Sequence, residues 1–589
     1  MKEFLKYMLA TIAGIIIASL LFFIIMIASF SAIIASGNKP ASVPENSVLV
    51  LRAGVPVPDR TDPNPLSGFD AINMTITQTP GLNDILRNLK KASADKKIRG
   101  VLIENGLLPS GWATTDEIRE ALIEFRKSGK FVIAYSDYLL MQEGYFLSTS
   151  ADRIYMNPSS TLDFKGLSGE VMFYKDALEK LGVDVQVTRH GKFKGAVEPF
   201  ILDGLSDENE EQIRAYVGSI WSHVTGTISA ARGIPAERLN HLADSLAGYD
   251  AGGAFSSGLV DGLLFRDALI DTLKILSGLT TDDKINLVQM VKYTRVPEPD
   301  KMVSAKNKIS VIFASGSIVM GKGGDNNIGG NTFSDLIRKE RQDSNVKAIV
   351  LRVNSPGGNA IASDLIWKEL YLAAKTKPVI ISMGNYAASG GYWISTPATK
   401  ILASPATITG SIGVFGLIPN AGELLDKKLG ISTETVKTNK SSDFPSVFRP
   451  MTSYEKKVMQ MNVDKIYNDF LDKVSDGRGI SKESVDNIGQ GRVWSGKDAL
   501  GLGLVDEAGG LKAAVESAAD LAGVTTYSVK ELPVVQDPYM KLLSQLSGDV
   551  VMRFVRNDRS GWFRMINELD EISSMCGIQA RIPYFVEIY

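Results

Sequence analysis

The sequence predicts an α/β protein built from two tandem copies of one domain behind a single N-terminal transmembrane helix. Three observations predict it: an internal repeat of nearly constant spacing, β-branched runs that alternate with helix-like segments, and a long apolar run at the N-terminus. A chain of 589 residues is also longer than one hydrophobic core usually serves. We divide it into an anchor (1–45), an N-terminal copy (46–300), a C-terminal copy (301–540) and a tail (541–589).

The first segment has the composition of a membrane anchor. An uncharged run from Tyr7 to Asn38 is rich in Ile, Leu, Phe and Ala and follows Lys2 and Lys6. About 20 such residues in a helix span the ~30 Å hydrocarbon core of a bilayer. A cleaved signal peptide has an apolar region of only about 7–15 residues, so we favour a retained anchor. The preceding lysines predict a cytoplasmic N-terminus and a translocated remainder.

The two copies are recognised by motifs that recur at nearly the same spacing. The motif Gly-Tyr-(Phe/Trp)-(Leu/Ile)-Ser-Thr occurs at 144–149 and again at 391–396, which is 247 residues later. Three further pairs of similar segments, around Val101, Val183 and Val260 in the first copy, recur at spacings of 245 to 248 residues. Such self-similarity indicates duplication of a whole domain.

Within each copy, strand-like and helix-like segments alternate. Short runs of β-branched residues precede helix-like segments such as 115–127 in the first copy and 362–375 in the second. This alternation is typical of a mostly parallel sheet with helices on its faces. The tail, 541–589, contains Arg and aromatic residues, matches neither copy, and receives no assignment.

Composition narrows the classes of function. The formal net charge is −2, so nothing indicates a nucleic-acid partner. The single cysteine, Cys576, cannot form an intrachain disulfide or a cysteine-rich metal site. No Walker or Rossmann glycine pattern occurs, and we expect neither a cofactor nor a metal. The three histidines, His190, His223 and His241, all lie in the N-terminal copy.

Two glycine-rich segments of the C-terminal copy, NSPGG at 354–358 and AASGG at 387–391, are candidates for a catalytic site. Glycines allow close approach of a substrate and leave backbone N–H groups free to stabilise an oxyanion. Ser389 would lie at a helix N-terminus, where the helix dipole favours the negative charge of a tetrahedral intermediate. Taken alone, NSPGG is compatible with an ordinary strand-to-helix turn, and AASGG with a glycine-rich turn or an N-cap serine.

A serine nucleophile needs a group that removes its proton. Lys194 is flanked by apolar residues, and burial among them would lower its pKa far enough to leave the amine neutral. His190 lies close to Lys194 in the sequence and is the competing base. His223 and His241 fall in helical, mostly polar segments, which favours surface positions for both.

The repeat explains why the serine and the lysine lie in different copies. At the repeat spacing Ser389 aligns with Gln142, and Lys194 aligns with Ser442. The first copy therefore lacks the serine, and the second copy lacks the lysine. Two diverged copies that each keep half of a catalytic pair predict one working site per chain.

Over nearly the whole chain these motifs resemble the long form of the signal peptide peptidase A family, also called the protease IV family. The strings GKFKGAVEPF at 191–200 and AASGGYWIST at 387–396 are specific to it, whereas NSPGG also resembles the Clp protease and crotonase superfamily. The resemblance implies two Clp/crotonase-like domains and a serine endopeptidase. The chain departs from the family pattern at Gly195, where a serine is expected.

The resemblance also implies roles for individual residues. Ser389 is the expected nucleophile and Lys194 the expected general base and acid of a Ser–Lys dyad. The backbone N–H groups of Gly358 and Gly390 are expected to form the oxyanion hole. Ser411, in a Thr-Gly-Ser-Ile-Gly segment, is expected to hydrogen-bond the lysine.

For the whole protein, the resemblance implies a bowl-shaped homotetramer on the outer side of the bacterial cytoplasmic membrane. The catalytic body would be periplasmic or extracytoplasmic, held to membrane lipid by one helix. Its substrates would be cleaved signal peptides and other short apolar peptides. Two other interpretations stay open: an acyl-CoA enzyme of the crotonase type and a non-catalytic membrane scaffold.

Overall fold

The structure, a computed structural model, covers most of both predicted copies. It describes residues 3–4, 6–8, 10–21, 41–53, 56–62, 69–70, 75–76, 79–105, 110–297, 305–324, 326–534, 577–582 and 587–588. Residues 10–21 of the predicted anchor are helical, while 22–40 lie outside the described residues. Within the described part of the chain, no helix is long and apolar enough to cross a membrane. The predicted anchor therefore stays a prediction.

The secondary structure alternates as the sequence predicts. The strands are β1 (Ser47–Ala53), β2 (Phe69–Asp70), β3 (Thr75–Ile76), β4 (Ile98–Asn105), β5 (Phe131–Ser136), β6 (Leu139–Met141), β7 (Arg153–Met156), β8 (Thr161–Asp163), β9 (Gly169–Glu170), β10 (Asp184–His190), β11 (Gly262–Leu263), β12 (Asn286–Gln289), β13 (Lys308–Ser315), β14 (Ser317–Val319), β15 (Asn327–Gly329), β16 (Val346–Ser355), β17 (Gly357–Asn359), β18 (Val379–Ala388), β19 (Lys400–Ala403), β20 (Ile408–Gly410), β21 (Val414–Asn420), β22 (Val493–Ser495), β23 (Glu507–Ala508), β24 (Ser528–Leu532), β25 (Gly577–Arg581) and β26 (Glu587–Ile588). The α-helices are Leu82–Ala94, Trp112–Arg126, Gln142–Ser148, Lys175–Leu181, Glu198–Ile201, Asp207–Arg232, Ala236–Ser245, Ala251–Ser256, Arg266–Leu276, Met290–Thr294, Gly330–Gln342, Ala360–Ala374, Gly390–Ser395, Ser453–Arg478, Lys482–Ile488, Gly496–Gly501 and Leu511–Leu521.

The first copy is built around a sheet of order β11-β7-β5-β4-β1-β12. Every neighbouring pair in it is parallel. Leu49 and Val101 pack into one apolar core, and their neighbours Val50 and Leu102 pack into another on the opposite face. Strands buried on both faces need apolar side chains at successive positions, which is why they are visible as continuous apolar runs in the sequence.

The second copy repeats this sheet. Its strands pair in the order β23-β19-β18-β16-β13-β24, again all parallel. The predicted duplication and the α/β class are therefore confirmed, although the domain boundaries stay predictions. Strand β18 runs beyond its apolar part, Val379 to Met383, as far as Ala388, because Tyr386–Ala388 pair with β20. That extension leads directly to Ser389.

A third sheet, of order β10-β21-β25-β17-β14-β15, joins the two copies. Strand β10 of the first copy runs antiparallel to β21 of the second, from Asp184 opposite Asn420 to His190 opposite Val414. Lys194 comes four residues after β10 ends, and Ser411 comes shortly before β21 begins. The pairing therefore carries the lysine of one copy to the serine-bearing copy.

A buried ion cluster also links the copies. Arg352 of β16 is fully buried, and its guanidinium lies 2.8 Å from the Asp59 carboxylate and 2.6 Å from the Glu117 carboxylate. Glu117 belongs to the helix Trp112–Arg126 of the first copy, and it also accepts a hydrogen bond from the Leu511 N–H. Buried charges persist only when they are paired, so this cluster fixes the two copies against each other.

Candidate active site

Ser389 lies in a strained turn between β18 and the helix Gly390–Ser395. Its backbone has φ +53° and ψ −111°, a combination that residues with a side chain rarely adopt. Two backbone hydrogen bonds hold it there: the Ser389 N–H donates to the Gly410 carbonyl, and the Trp393 N–H donates to the Ser389 carbonyl. The Ser389 side chain is fully buried and contacts Lys194 of the first copy.

Lys194 is fully buried, and its Nζ lies 2.8 Å from Ser389 Oγ. Nζ also lies 3.0 Å from Ser411 Oγ and 3.2 Å from the Ser411 carbonyl oxygen. None of the ion pairs found among the described residues involves Lys194, and burial alone holds its pKa well below its usual range. The structure therefore brings Ser389, Lys194 and Ser411 together, with the lysine favoured in its neutral form.

The two glycines expected to donate to an oxyanion lie side by side. A methyl group added at Gly390 would come 3.1 Å from the Gly358 nitrogen, so the two backbone N–H groups are close together. Gly357 and Gly358 have φ of +99° and +156°, in the region that favours glycine. A methyl group on Gly358 would also lie 2.1 Å from the Ile318 carbonyl oxygen, which leaves no room for a side chain there.

The histidines lie elsewhere. His190 Nδ1 is 2.8 Å from Asp464, and its ring stacks on Tyr467 at 4.0 Å between centroids. His241 is exposed, as predicted. The surface position predicted for His223 is wrong, because only 17% of its side chain is exposed and Nε2 lies 3.1 Å from the Asp116 carboxylate. The long helix that carries His223 packs against the body of the protein, and the sequence pattern did not reveal which face is covered.

Two residues that sequence reasoning missed, Gly491 and Gln212, hold the lysine in place. A methyl group at Gly491 would come 2.6 Å from the Lys194 nitrogen, so the lysine backbone requires a glycine there. The buried side chain of Gln212 donates to the Phe193 carbonyl and accepts from the Val493 N–H. Gln212 lies among the polar residues of a long helix, and no local signal marks it.

The counterpart of this site in the first copy is filled. Gln142, at the position of the serine, donates through its side-chain amide to the Gly166 carbonyl. The buried carboxyl of Glu143 accepts hydrogen bonds from Thr115 Oγ1 at 2.6 Å and from the Ser110 N–H at 3.3 Å. By the repeat spacing, Ser110 matches Gly357 and Glu143 matches Gly390. A carboxyl group thus occupies the place that corresponds to the glycine N–H groups of the second copy.

Comparison with known proteins identifies the chain. Residues 124–280 and 372–525 match the model of peptidase family S49. Protease 4 of Haemophilus influenzae is 35% identical over 513 residues, which cover 85% of this chain and 83% of that protein. Protease 4 of Salmonella typhi is 36% identical over 79% of this chain and 76% of that protein. The chloroplastic serine protease SPPA of Arabidopsis thaliana is 32% identical over 85% of this chain and 74% of that protein.

These relatives define the protein as a serine peptidase. The chain belongs to peptidase family S49 and carries two matched regions, one in each copy. The family resemblance predicted from the motifs is confirmed. Among solved structures, a mutant of ClpP1 from Listeria monocytogenes matches 35% of this chain and 94% of its own at 15% identity, with a TM-score of 0.23. A score of that size carries no argument, so the Clp/crotonase-like fold stays a prediction.

Proposed function

We propose that this S49 peptidase is a membrane-anchored endopeptidase that degrades cleaved signal peptides and other short apolar peptides with a Ser389–Lys194 dyad. The observation that carries the proposal is the 2.8 Å separation of Lys194 Nζ and Ser389 Oγ, with both side chains fully buried. A serine hydroxyl becomes a nucleophile when an adjacent base takes its proton, and a desolvated lysine can be that base. The Clp/crotonase-like fold of both copies is part of the same proposal.

The mechanism follows from these contacts. Neutral Lys194 accepts the Ser389 proton as Oγ attacks the carbonyl carbon of a peptide bond. The protonated lysine then gives this proton to the leaving amine as the C–N bond breaks and an acyl-enzyme ester remains. A water molecule, deprotonated by Lys194, attacks the ester carbon; the C–O bond breaks, the acid leaves, and Lys194 returns the proton to Ser389 Oγ. Ser411 orients Nζ toward Ser389 throughout.

The tetrahedral intermediate needs stabilisation of its negative oxygen. The Gly358 and Gly390 N–H groups supply two donors, and the helix that begins at Gly390 directs its positive end to the same place. Loss of one such donor costs about 3 kcal/mol of the activation free energy in acyl-transfer enzymes. The donors are backbone groups, so their positions depend on the two glycine turns rather than on side-chain rotamers.

The test compares hydrolysis of a synthetic apolar signal peptide by the full-length wild type, Ser389→Ala, Lys194→Ala and His190→Ala. We expect hydrolysis by the wild type and His190→Ala and none by the other two. Activity in Lys194→Ala but not in His190→Ala would assign the base to His190. Equal activity in all four proteins would show that Ser389 and Lys194 are not the catalytic residues. Binding of coenzyme A to the purified protein would favour the acyl-CoA enzyme. No hydrolysis by any of the four would favour the scaffold.

Location and assembly are part of the proposal. Ile15, Ile16, Ile17 and Leu20 expose about 60% of their surface, as an anchor that contacts lipid requires. The expected result is an inner-membrane protein with its body outside the cytoplasm, released to the soluble fraction when residues 1–40 are deleted. Light scattering of the detergent-solubilised protein should give four chains per particle. A monomer would contradict the homotetramer without affecting the dyad.

A further inference from the structure

A turn of the second copy, residues 489–492, contacts both the Lys194 loop and the Ser411 turn, and we call it the bridging turn. Toward the lysine, the N–H of the residue before Lys194 donates to the Gln490 carbonyl at 2.9 Å. Toward the serine, the Ser411 N–H donates to the Arg492 carbonyl at 2.7 Å. The position of the lysine relative to Ser411 therefore depends on the conformation of the bridging turn.

One carbonyl of the bridging turn determines the direction of the hydrogen bonds at the dyad. Ser411 Oγ lies 3.2 Å from the Gly491 carbonyl oxygen and 3.0 Å from Lys194 Nζ. A carbonyl oxygen only accepts, so Ser411 donates its proton to Gly491 and its Oγ accepts from the lysine amine. A neutral amine has two hydrogens and one lone pair. With its hydrogens directed at the hydroxyl and the carbonyl of Ser411, the lone pair is left for the Ser389 hydroxyl.

Two side chains, Tyr467 and Asp486, hold the bridging turn in a strained conformation. Gln490 has φ +53°, which residues with a side chain rarely adopt. Its N–H donates to the Tyr467 hydroxyl at 3.2 Å, and its side-chain amide donates to the Asp486 carboxylate. The Tyr467 hydroxyl donates to the same carboxylate oxygen. Burial and this bond raise the pKa of Tyr467 above its usual value, so the hydroxyl keeps the proton that it donates.

Backbone strain is concentrated around the lysine. Only five residues other than glycine have a positive φ in the described part of the chain, and three of them, Ser389, Ser411 and Gln490, belong to this network. Such strain persists only where the surrounding structure holds it, and it is frequent at functional sites. The strained Gln490 therefore depends on the hydrogen bonds that Tyr467 and Asp486 make with it.

We propose that Tyr467 and Asp486 are positioning residues for the dyad, which act through the bridging turn to keep the Lys194 amine shielded from water and directed at Ser389. The inference rests on the proposed function, because these residues affect a reaction only if Ser389 and Lys194 perform it. Without the Tyr467 hydroxyl, the Gln490 N–H loses this acceptor, and the bridging turn should shift and admit water to the lysine.

Admission of water to Lys194 has a consequence that a loss of packing elsewhere does not have. Burial alone lowers the pKa of Lys194, so hydration of the amine should raise this pKa. A smaller fraction of the lysine is then neutral at a given pH, and the acid limb of the pH profile should move to higher pH. A change in the pH profile therefore distinguishes a positioning role from a merely structural one.

Other titratable groups lie near the bridging turn and need their own control. His190 stacks on the Tyr467 ring at 4.0 Å between centroids, and its Nδ1 lies 2.8 Å from Asp464. His190→Ala removes this ring contact and keeps both hydrogen bonds of the Tyr467 hydroxyl, so its acid limb should match that of the wild type. The charged and titratable groups at the turn and at Tyr467 are Asp486, His190, Asp464 and Arg492, which pairs with Glu211 at 3.0 Å.

The first test measures hydrolysis of the apolar signal peptide against pH by full-length wild type, Tyr467→Phe, Asp486→Ala and Asp486→Asn. Tyr467→Phe and Asp486→Ala should lower kcat by about ten- to a hundred-fold with KM nearly unchanged. The acid limb of their kcat/KM profiles should lie about one unit higher in pH. Asp486→Asn keeps the acceptor oxygen and should retain the wild-type profile. A lower kcat with an unchanged acid limb would overturn the inference.

The matched control is Tyr293→Phe. It also removes the hydroxyl of a buried tyrosine that donates to a carboxylate, that of Asp95 at 2.8 Å, but in the first copy. Its kcat and its acid limb should match those of the wild type. An equal shift of the acid limb in Tyr293→Phe and Tyr467→Phe would also overturn the inference, because it would show a general effect of lost stability.

A measurement that needs no hydrolysis separates this inference from the proposed function. The effect of Lys194→Met on the free energy of unfolding should depend on pH over a range about one unit narrower in a Tyr467→Phe background than in the wild type. The reason is that the folded pKa of Lys194 is then closer to its unfolded value. The same range in both backgrounds would overturn the inference. A narrower range without hydrolysis by any protein would reject the peptidase chemistry and retain the positioning of Lys194.

Discussion

At the scale of single residues, Lys194 is fully buried, and this burial disfavours the charged form of its amine. Its hydrogen-bond partners are the hydroxyls of Ser389 and Ser411 and a carbonyl, none of which neutralises an ammonium group. The folded state therefore holds the lysine proton less tightly than the unfolded chain, in which the pKa is about 10.4. The proposed dyad needs the neutral amine, and its burial lowers folding stability wherever the unfolded chain holds the proton.

Lys194→Met should change how stability depends on pH. Between the depressed pKa of Lys194 and about 10.4, the unfolded wild type binds one more proton than the folded protein, so wild-type stability falls as the pH falls. Methionine does not titrate, so the Lys194→Met variant lacks this contribution to the pH dependence of stability. The free energy of unfolding of Lys194→Met relative to wild type should rise between pH 10 and 7, by about 1.4 kcal/mol for each unit of depression.

Chemical denaturation at several pH values measures this difference. The hydrogen bonds that methionine cannot make contribute an offset that does not depend on the lysine charge, so the slope is the decisive quantity. A difference that is the same at pH 7 and pH 10 would mean that Lys194 is charged in the folded protein.

Glu143 predicts the opposite dependence on pH. Burial raises the pKa of its carboxyl to about 7, although hydrogen bonds from Thr115 and from two backbone N–H groups oppose the change. The folded wild type binds the extra proton between about pH 4.5 and 7, so its stability falls as the pH rises through this window. The free energy of unfolding of Glu143→Gln relative to wild type should increase with pH, by about 3 kcal/mol near pH 7, and then level off. A gain that is unchanged between pH 5 and 8 would contradict this account.

At the scale of elements, the turn after β10 decides where the lysine lies. Gly195, where relatives were expected to have serine, has no space for a side chain, because an added methyl group would come 2.4 Å from Asn209 Nδ2. Asn209 is itself buried and donates to the Glu198 carboxylate at 3.1 Å. The glycine and the asparagine therefore fit closely together, and this contact leaves no space for the serine that the resemblance led us to expect.

Gly195→Ser should lower the free energy of unfolding by about 1–3 kcal/mol, the usual cost of overpacking a well-packed site. In an Asn209→Ala background the same change should cost less, because the colliding amide is gone. A double-mutant cycle, followed by denaturation and by peptide hydrolysis, measures the coupling. Additive effects of the two substitutions would show that the pair does not interact.

At the scale of the whole molecule, the site formed by Lys194 and Ser389 depends on how the two copies are positioned against each other. Arg352 in the second copy is enclosed with Glu117 of the first and with Asp59. Removal of one member of a buried ion cluster leaves a charge without compensation and costs about 3–5 kcal/mol. We therefore expect Arg352→Ala to destabilise the protein by this amount and to weaken peptide hydrolysis, since the lysine and the serine lie on opposite sides of the junction.

The matched control is Arg338→Ala. Arg338 also pairs with two carboxylates, Asp335 and Glu369, but 45% of its side chain is exposed. Exposed pairs of this kind contribute about 0–1 kcal/mol. Equal destabilisation by the two substitutions would mean that the buried cluster does not hold the copies together.

The sequence by itself determined the features that depend on local pattern and on repetition. Buried parallel strands require apolar runs, so the alternation of strands and helices in both copies followed from the sequence. The recurrence of GYFLST as GYWIST established the duplication, and glycine-rich turns selected Ser389 and Gly358. These features can be predicted from the sequence because each depends on a few neighbouring residues.

Only the tertiary structure decided what depends on residues far apart in the chain. Lys194 and Ser389 are 195 residues apart, and the antiparallel pairing of β10 with β21 brings them to 2.8 Å. The partial burial of His223, the hydrogen-bonded carboxyl of Glu143 and the pairing of the tail strand β25 with β17 and β21 had no local signal. Burial and strand pairing are properties of which surfaces meet, and a pattern within one segment does not specify its distant partner.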